Sequence, residues 1–355
     1  MRILIDIGHP GHVHLFRPFA MEMIDRGHEI LFTYRQKEVE EELLEAAGFR
    51  KKCFGRHYKT KLGKIWGLFR FNWLMLRTIQ QFRPDILLSH GTLYPAQMAW
   101  LTGRTYIALE DTGNWEQVRL YLPFAKCVLT STTFPKDYGY KQVRYSGHHE
   151  LAYLHPKRFA PNGSFKPALK ERSKAGYVLL RFVSWNATHD VGQKGLSAKT
   201  KNELIETLQE KYQVFISSEA ALPAKYEKYR INFPVDKIHD ALYYADMLIS
   251  EGTTMAMEAA ILGTPSAYVN SLQHANIDDM VKYGLVINRP DDRSLIEVVK
   301  NLMHTENLTA DWRKKKEKML EQNIDVTAFL VWFIESWPES FDIMKSNPAF
   351  QEKFR

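Results

Sequence analysis

Short apolar segments alternate with longer helical segments along the whole chain, and this alternation constrains the fold more than any other feature. Continuous apolar runs bounded by turn residues are typical of strands buried on both faces, as in parallel sheets. Parallel strands need a long crossover connection, which is usually a helix. The predicted strands are 2–7, 29–34, 85–89, 105–109, 127–131 and 143–146 in the first half, and 177–182, 213–217, 247–250, 266–269 and 285–287 in the second. The pattern predicts an α/β protein built of successive βαβ units.

A segment rich in proline and glycine separates the two series of strands. Pro156, Pro161, Asn162-Gly163 and Pro167 cluster there, as expected of a linker. We therefore predict two doubly wound, Rossmann-like domains that face one another across a cleft, with ligands at the carboxyl ends of the strands. The predicted parts are an N-terminal domain over 1–155, a linker over 156–170, a C-terminal domain over 171–325 and a helical tail over 326–355 that packs back on the N-terminal domain.

The charge balance favours anionic partners. The 355 residues include 48 Lys and Arg against 41 Asp and Glu, a net charge of +7 that suits nucleotide phosphates or an acidic membrane surface. The basic residues are dispersed and no nucleic-acid-binding motif appears, so no nucleic-acid partner is expected. Cys53 and Cys127 suggest neither a disulfide framework nor a zinc site. The first residues have the pattern of a strand rather than of a signal peptide, so we expect a cytoplasmic protein.

The segment over 249–265 carries the strongest sign of a binding site. A buried strand ends there and Gly252 permits a tight turn, after which Thr253 or Thr254 is expected to cap a helix. The unpaired amides of the first helical turn form an anion site that suits a diphosphate, and Glu258, about one turn further on, could accept hydrogen bonds from sugar hydroxyls. Gly263 is expected to end the helix. The alternative is an ordinary strand–turn–helix unit in which Glu258 is only solvated.

The loop after the first strand is rich in histidine. His9, His12 and His14 follow the strand's carboxyl end, where an imidazole could act as a general base of suitable pKa. A zinc site is the weaker interpretation, because neither a helical His-x₃-His spacing nor a carboxylate accompanies them, so no metal is expected. In the alternative structural interpretation these histidines cap the following helix and satisfy backbone groups.

Three short motifs resemble one superfamily. Gly11-His12-Val13, with Pro18 and Arg26-Gly27-His28-Glu29, resembles the opening of GT-B-fold glycosyltransferases, and 250–265 resembles their nucleotide-diphosphate site. Gln273-His274-Ala275-Asn276 is similar to the Gln-x-x-Asn with which many of those enzymes contact the donor sugar, although Leu272 stands where an acid usually precedes it. The organisation of most of the chain resembles this superfamily, and an uncharacterised family within it fits best.

A second resemblance is to the UDP-N-acetylglucosamine 2-epimerases, which share the GT-B fold. Ser89-His90-Gly91-Thr92 and the segment over 106–113 resemble two cleft-lining loops of those enzymes, and Glu110 falls on a family glutamate. The aspartate of the first loop is missing, because Thr92 follows Gly91 directly. Because one of the acidic groups of those enzymes is missing here, epimerisation is the less favoured of the two interpretations.

The resemblance implies a metal-independent glycosyltransferase that uses a nucleotide-diphosphate sugar in cell-envelope or surface-polysaccharide synthesis, with no cofactor besides this substrate. It implies His12 as the base that deprotonates the acceptor, with Glu110 or Asp111 orienting it or acting as the base. The implied donor contacts are Arg181 on the leaving diphosphate, Gly252, Thr253 and Thr254 around the diphosphate, Glu258 on the ribose, and Gln273 and Asn276 on the sugar. The alternatives are an epimerase and a noncatalytic protein that binds nucleotide sugars.

The segment over 59–77 combines basic residues with an apolar stripe. At helical spacing one face carries Leu62, Ile65, Trp66, Phe69, Trp73 and Leu76. Such a helix suits the interface of an anionic membrane, which would place the protein at the inner membrane face beside a lipid-linked acceptor. The alternative is a helix that packs this stripe against its own sheet.

Overall fold

The computed structural model describes the chain except residues 37–38, 57, 59, 166–175, 184–194, 219–220, 232 and 272–273, and except the side chains of Lys61 and Val235. The chain forms two compact units. Unit 1 comprises Met1–Arg158 and Asn323–Arg355, and unit 2 comprises Phe159–Gln322. The first unit therefore ends inside the segment predicted as a linker, and the last residues of the chain belong to it.

Unit 1 contains a parallel sheet of seven strands in the order β3-β2-β1-β4-β5-β6-β7. The strands are β1 (Arg2–Ile7), β2 (Glu29–Gln36), β3 (Lys51–Arg56), β4 (Ile86–His90), β5 (Thr105–Glu110), β6 (Cys127–Ser131) and β7 (Gln142–Tyr145). The helices are α1 (Pro10–Asp25), α2 (Glu40–Ala46), α3 (Lys61–Phe82), α4 (Leu93–Leu101), α5 (Trp115–Tyr121), α6 (Leu151–Leu154), α13 (Val326–Glu335) and α14 (Glu339–Ser346), with 3-10 helices over Gly139–Lys141 and Pro348–Phe354.

Unit 2 contains a parallel sheet of five strands in the order β12-β11-β10-β8-β9. The strands are β8 (Tyr177–Phe182), β9 (Gln213–Ser218), β10 (Met247–Ser250), β11 (Ser266–Val269) and β12 (Val286–Arg289). The helices are α7 (Ala198–Gln209), α8 (Ile238–Tyr244), α9 (Thr253–Leu262), α10 (Ala275–Lys282), α11 (Leu295–His304) and α12 (Leu308–Gln322), with 3-10 helices over Ala224–Tyr229 and Val235–Lys237.

The predicted α/β class with two doubly wound units is confirmed, and each predicted strand is present. The strand β3, which lies at the edge of the sheet of unit 1, was not predicted. Its residues include Lys51, Lys52 and Arg56, and only Phe54 is buried. An edge strand needs few apolar residues because one side faces water, so β3 lacks the apolar run that identifies the other strands.

The turn at the start of α9 differs from the prediction. Gly252 is the N-cap residue, so the prediction that Thr253 or Thr254 caps this helix is wrong. The Thr253 hydroxyl lies 3.1 Å from the hydroxyl of Tyr268 on β11, so it is hydrogen-bonded to that strand. Thr254 is exposed. Gly263 ends the helix as predicted, with φ of 76° in the left-handed region that favours glycine.

The C-terminal residues are part of unit 1 through α13, which contacts α1 and α6. The Thr327 hydroxyl donates a hydrogen bond to the carbonyl of Ala152 at 2.7 Å. Arg158 pairs with Asp325 at 2.8 Å and with Glu22 at 2.6 Å, which ties the end of the first segment to the tail and to α1. These contacts fix the helices that flank the loop after β1.

A buried ion pair joins the central strands of unit 1 at their carboxyl ends. The guanidinium of Arg35 on β2 donates to both carboxylate oxygens of Asp6 on β1, at 2.9 and 3.0 Å. Asp6 also accepts from the hydroxyls of Thr33 and Thr92 at 2.7 and 2.8 Å. Arg35 donates further to the carbonyl of Ile7. One carboxylate therefore connects β1, β2 and the turn after β4.

We predict that Asp6→Asn destabilises unit 1 by about 3–5 kcal/mol, because the substitution leaves the buried charge of Arg35 without its partner. The control is Glu29→Gln in the exposed pair of Arg2 and Glu29, which should change stability by about 0–1 kcal/mol. Urea unfolding followed by fluorescence measures both. Equal losses in the two variants would show that Asp6 does not have this role.

Candidate functional site

The functional loops of each unit lie at a topological switch point, where the strand order reverses and where doubly wound sheets bind their ligands. In unit 1 this point lies between β1 and β4, which pair in parallel with Asp6 opposite Ser89. In unit 2 it lies between β8 and β10, which pair with Arg181 opposite Ser250. His12, in the first turn of the helix that follows β1, and Arg181, near the end of β8, were both predicted as site residues and lie at these switch points.

Unit 1 has at this edge a group of four side chains, His12, His90, Asp111 and His149, which we call the histidine cluster. His90 Nε2 lies 2.8 Å from Asp111 Oδ1, and His149 Nδ1 lies 3.4 Å from Asp111 Oδ2. The ring of His12 stacks on that of His90 with 4.6 Å between centroids. The carboxyl ends of four strands, β1, β4, β5 and β7, therefore bring together polar residues that end these strands or follow them.

Charge coupling within the cluster separates the protonation states of its members. Burial by itself would lower the pKa of His90, but the adjacent carboxylate of Asp111 raises it to about 9. Burial disfavours ionisation of Asp111, yet His90 and His149 hold the pKa of this carboxyl well below its usual range. Burial and the positive charge of His90 lower the pKa of His12. At neutral pH the cluster thus holds a charged His90–Asp111 pair and a neutral His12.

The nitrogen atoms of His12 have different environments. Its Nδ1 accepts a hydrogen bond from the backbone N–H of Gly8 at 3.3 Å. Within the described residues its Nε2 has no hydrogen-bond partner. A general base at Nε2 needs a lone pair there, whereas a neutral imidazole that accepts at Nδ1 carries its proton on Nε2. The role of His12 as a base stays a prediction that this geometry does not favour.

Glu110 organises the turn after β5. It is buried, and its Oε1 accepts from the amides of Thr112 and Gly113 and from the Thr112 hydroxyl, each within 2.8 Å. Its Oε2 accepts from the hydroxyl of Tyr121. Both oxygens are engaged within unit 1, so Glu110 holds the loop that presents Asp111. Its catalytic role stays a prediction.

His90, Asp111 and His149 are the residues of the described chain whose atoms could together hold a metal ion, since one ligand atom from each lies within 4.8 Å of the others. Two histidines and one carboxylate suit zinc or iron. However, the 2.8 Å between His90 and Asp111 is an ordinary distance for a charge-assisted hydrogen bond, and the carboxylate is neutralised without an ion. We therefore describe the group as an ion-pair network.

Unit 2 has at its switch point the turn over Ser250–Thr254, which we call the α9 elbow. The Ser250 hydroxyl accepts from the amide of Gly252 and donates to its carbonyl, which fixes the turn. A Cβ at Gly252 would lie 3.2 Å from Val183 Cγ1, so the residue that follows β8 lies close to the backbone of this turn. Gly252 and Thr253 are partly exposed and Thr254 is exposed, so the amino end of α9 is open to solvent.

Arg181 ends β8 beside this elbow. Its Nη1 donates to the hydroxyl of Ser217 on β9 at 2.8 Å, and a Cβ at Gly252 would lie 3.7 Å from Arg181 Cγ. The side chain is partly buried. The stem of the Arg181 side chain therefore passes the elbow, while its guanidinium reaches β9 on the other side of β8. The first amides of α9 and a guanidinium are both groups that favour a bound anion.

The remaining residues that were predicted to bind the ribose and the sugar differ in accessibility. Glu258 is buried and its Oε1 lies 3.1 Å from Nε2 of His239 on α8, so the structure gives this carboxylate a partner inside unit 2. Asn276 is buried in the first turn of α10. Gln273 lies outside the described residues. The ribose and sugar contacts of these three residues stay predictions.

Several residues of the site were missed as functional residues. His90 was predicted only as part of the Ser89–Thr92 motif, and His149 was not predicted. His149 follows β7 at the sheet edge where the other strands also end, and the predicted strand pattern could have revealed this position. Glu251 is fully buried and accepts from the amides of Val183 and Leu196 at 3.0 and 2.7 Å. It also pairs with Lys201 at 3.2 Å. Glu251 thus connects the elbow to Val183, directly after β8, and to Leu196.

The fold is similar to that of several solved structures, among them a UDP-GlcNAc 2-epimerase and a rhamnosyltransferase. MnaA of S. aureus in complex with UDP is similar with a TM-score of 0.70 and 12% identity, over 96% of this chain and 97% of MnaA. A UDP-GlcNAc 2-epimerase of Neisseria meningitidis bound to UDP-GlcNAc has a TM-score of 0.63 and 13% identity, over 93% and 98% of the chains. The spinosyn rhamnosyltransferase SpnG with spinosyn aglycone has a TM-score of 0.60 and 15% identity, over 95% and 100%.

These similarities confirm that the fold is that of GT-B glycosyltransferases and UDP-GlcNAc 2-epimerases. The chain matches the model of the family described as Protein of unknown function (DUF354) over residues 1–331, and it belongs to that family. It is also 24% identical over 317 residues to MJ0665 of Methanocaldococcus jannaschii, described as an uncharacterized protein, which is 84% of this chain and 91% of that relative.

We predict that Asp111→Asn removes the cause of the raised pKa of His90, so that burial then lowers this pKa below its ordinary value. Because the folded-state pKa of about 9 exceeds the ordinary 6.5, the stability that the pair contributes is present below pH 6.5 and is lost as the pH rises through 9. NMR titration of ¹⁵N-labelled histidines measures the change. An unaltered His90 titration in Asp111→Asn would contradict the assignment.

Proposed function

We propose that this protein is a glycosyltransferase that transfers a sugar from a nucleotide-diphosphate donor without a metal ion. The observation that carries the proposal is the α9 elbow with Arg181 beside it at the switch point of unit 2. Open helix amides and a guanidinium form the chemistry required by a leaving diphosphate, whose negative charge grows as the bond to the sugar breaks.

The acceptor would be activated in unit 1. The acceptor hydroxyl oxygen attacks the anomeric carbon, the hydroxyl proton passes to the carboxylate of Asp111, and the nucleoside diphosphate leaves with the bonding electron pair. Asp111 is assigned this role by its position, because its side chain is 20% exposed within the histidine cluster. His90 and His149 hold its pKa low and so reduce its basicity, which means that the proton moves only as the bond to the anomeric carbon forms and makes the hydroxyl strongly acidic. Glu110 acts as a positioning residue through the turn that it holds.

The first test concerns donor binding. We predict that nucleoside diphosphates raise the melting temperature of the protein, since a ligand that binds only the folded state stabilises it. Arg181→Ala should weaken this binding by at least about tenfold, because a hydrogen bond to a charged group is worth about 1.5–3 kcal/mol. Arg293→Ala in the same unit is the matched control, since Arg293 is 87% exposed and pairs with Asp291. Failure of every nucleoside diphosphate to shift the melting temperature at millimolar concentration would overturn the proposal.

The second test concerns turnover. Incubation with labelled UDP-, GDP- and dTDP-sugars should give transfer or slow donor hydrolysis that is insensitive to EDTA. Asp111→Asn should lose this activity but keep donor binding. A noncatalytic binding protein would instead bind the donor and turn over none of it, with wild type and Asp111→Asn alike.

Epimerisation of UDP-N-acetylglucosamine is the second candidate, favoured by the structural similarity to the epimerases. The turn after β4 argues against it. A Cβ at Gly91 would lie 2.8 Å from Tyr121 and 3.0 Å from Glu110, and the next residue, Thr92, donates its hydroxyl to Asp6. Thr92 follows Gly91 where the epimerase motif has an aspartate, so this turn offers no carboxylate at that point. Deuterium entry at C2 of the substrate in heavy water would establish epimerisation instead.

We further propose that unit 1 contacts an anionic membrane, where a lipid-linked acceptor for the cell envelope would be presented. This proposal is supported by the apolar face of α3, formed by Leu62, Ile65, Trp66, Phe69 and Trp73, whose side chains are 53–81% exposed. The alternative interpretation, in which this stripe packs against the sheet, is wrong. Phe71, Met75, Ile79 and Phe82 form the core-facing side instead, and Leu76 is only partly buried. In the described part of the chain no helix has the length and apolarity required to cross a bilayer.

Basic residues accompany this apolar face. Lys64 is exposed, and the guanidinium of Arg77 lies 4.8 Å from the ring centroid of Trp73. On the adjacent α4, Trp100 and Leu101 are exposed as well. An exposed aromatic face with cationic neighbours suits the headgroup region of an anionic bilayer.

We predict that the double variant Trp66→Ser, Phe69→Ser lowers partition onto vesicles of anionic phospholipid by at least about tenfold, because burial of a large apolar side chain is worth about 1.5–3 kcal/mol. Co-sedimentation measures this partition. Tyr140→Ser removes a ring that is 70% exposed elsewhere on unit 1 and should leave partition unchanged. Wild-type protein that ignores anionic vesicles at low salt would disprove the membrane contact while leaving the sugar-transfer proposal intact.

A further inference from the structure

His12 has surroundings that define its chemical role in the proposed function. The identity of the substrate that it contacts rests on that proposed function. His12 lies in the first turn of α1, and the N-cap residue of that helix is His9. Two contacts fix its ring. The N–H of Gly8 donates to Nδ1 at 3.3 Å, and the ring stacks on His90 with an interplanar angle of 26°.

The contact with Gly8 selects one tautomer. A backbone N–H can only donate, so Nδ1 must offer its lone pair and cannot carry a proton. The single proton of the neutral ring is then on Nε2. Because Nε2 has no partner within the described residues, this N–H is left for a ligand.

The surroundings of His12 oppose a second proton on its ring. The titratable groups that act on it are His9 in its own loop, His90 at the end of β4, Asp111 after β5 and His149 after β7. The helix dipole of α1 adds positive potential at its amino end. Asp111 is the one anion in this set, and its two oxygens face His90 and His149. A charged His12 would therefore stack on the charged ring of His90, while the one anion of the set is already paired with His90 and His149.

We propose that His12 acts as a neutral hydrogen-bond donor through Nε2–H to an oxygen atom of the bound substrate, and not as the general base. The proton of the acceptor hydroxyl then goes to Asp111, and His12 exchanges none. A neutral imidazole next to a helix amino end is known to serve as such a donor in enzyme catalysis.

The first experiment reads the tautomer without any turnover. Long-range ¹H–¹⁵N correlation spectra of ¹⁵N-histidine protein, with His12→Gln to assign the resonance, should show a protonated Nε2 and an unprotonated Nδ1 throughout about pH 5–8, the range in which an ordinary histidine titrates. A His12 ring that titrates in this range, or that carries its proton on Nδ1, would overturn the inference. This result is independent of whether the protein transfers sugar.

The second experiment separates a donor from a base. His12→Gln offers an amide donor near the position of Nε2, whereas His12→Asn keeps an acceptor for Gly8 and lacks the distal donor; neither amide is a base. With donor hydrolysis or transfer as the readout, His12→Ala and His12→Asn should fall by about 10²–10³-fold, the usual cost of losing one catalytic donor, and His12→Gln should keep the larger part of the activity. Equal loss in all three variants would identify His12 as a base.

Discussion

The carboxylate of Asp6 is the point on which the arrangement of unit 1 depends. It is fully buried and receives two hydrogen bonds from Arg35 and one each from Thr33 and Thr92. A charge removed from water must be compensated by such partners. The compensation connects β1, β2 and the turn after β4; His12 lies in the helix that follows β1, and His90 is the last residue of β4. The position of the histidine cluster therefore follows from a requirement of folding.

Within the cluster, one carboxylate determines the states of two imidazoles, those of His90 and His12. Asp111 keeps His90 protonated, and the resulting cation lies against the ring of His12 and helps to keep it neutral. The contact between Gly8 and His12 then sets which nitrogen carries the remaining proton. His90 and His12 thus differ in chemistry although their rings stack on one another. His90 is a cation because it lies beside Asp111, and His12 is neutral with the proton on Nε2 because the backbone N–H of Gly8 faces Nδ1.

The fold is shared by transferases and epimerases, so the fold by itself does not choose between them. The choice depends on individual side chains at the switch points. In unit 1 the turn after β4 presents a threonine that is committed to Asp6, and Glu110 is committed to its own turn. In unit 2 the amino end of α9 remains open beside Arg181. The proposal of sugar transfer rather than proton exchange at carbon rests on this distribution.

The sequence by itself determined the α/β class, the strand positions other than β3, the glycine that ends α9 and the loops in which ligands are expected, because these depend on local periodicity and backbone conformation. It also indicated Arg181 and the α9 elbow as a possible anion site. Only the tertiary structure decided that His149 joins His90 and Asp111, that Glu258 faces His239, and that the apolar stripe of α3 faces solvent. These facts depend on contacts between residues far apart in the chain, and on which side of a helix meets the sheet, and no local pattern fixes either.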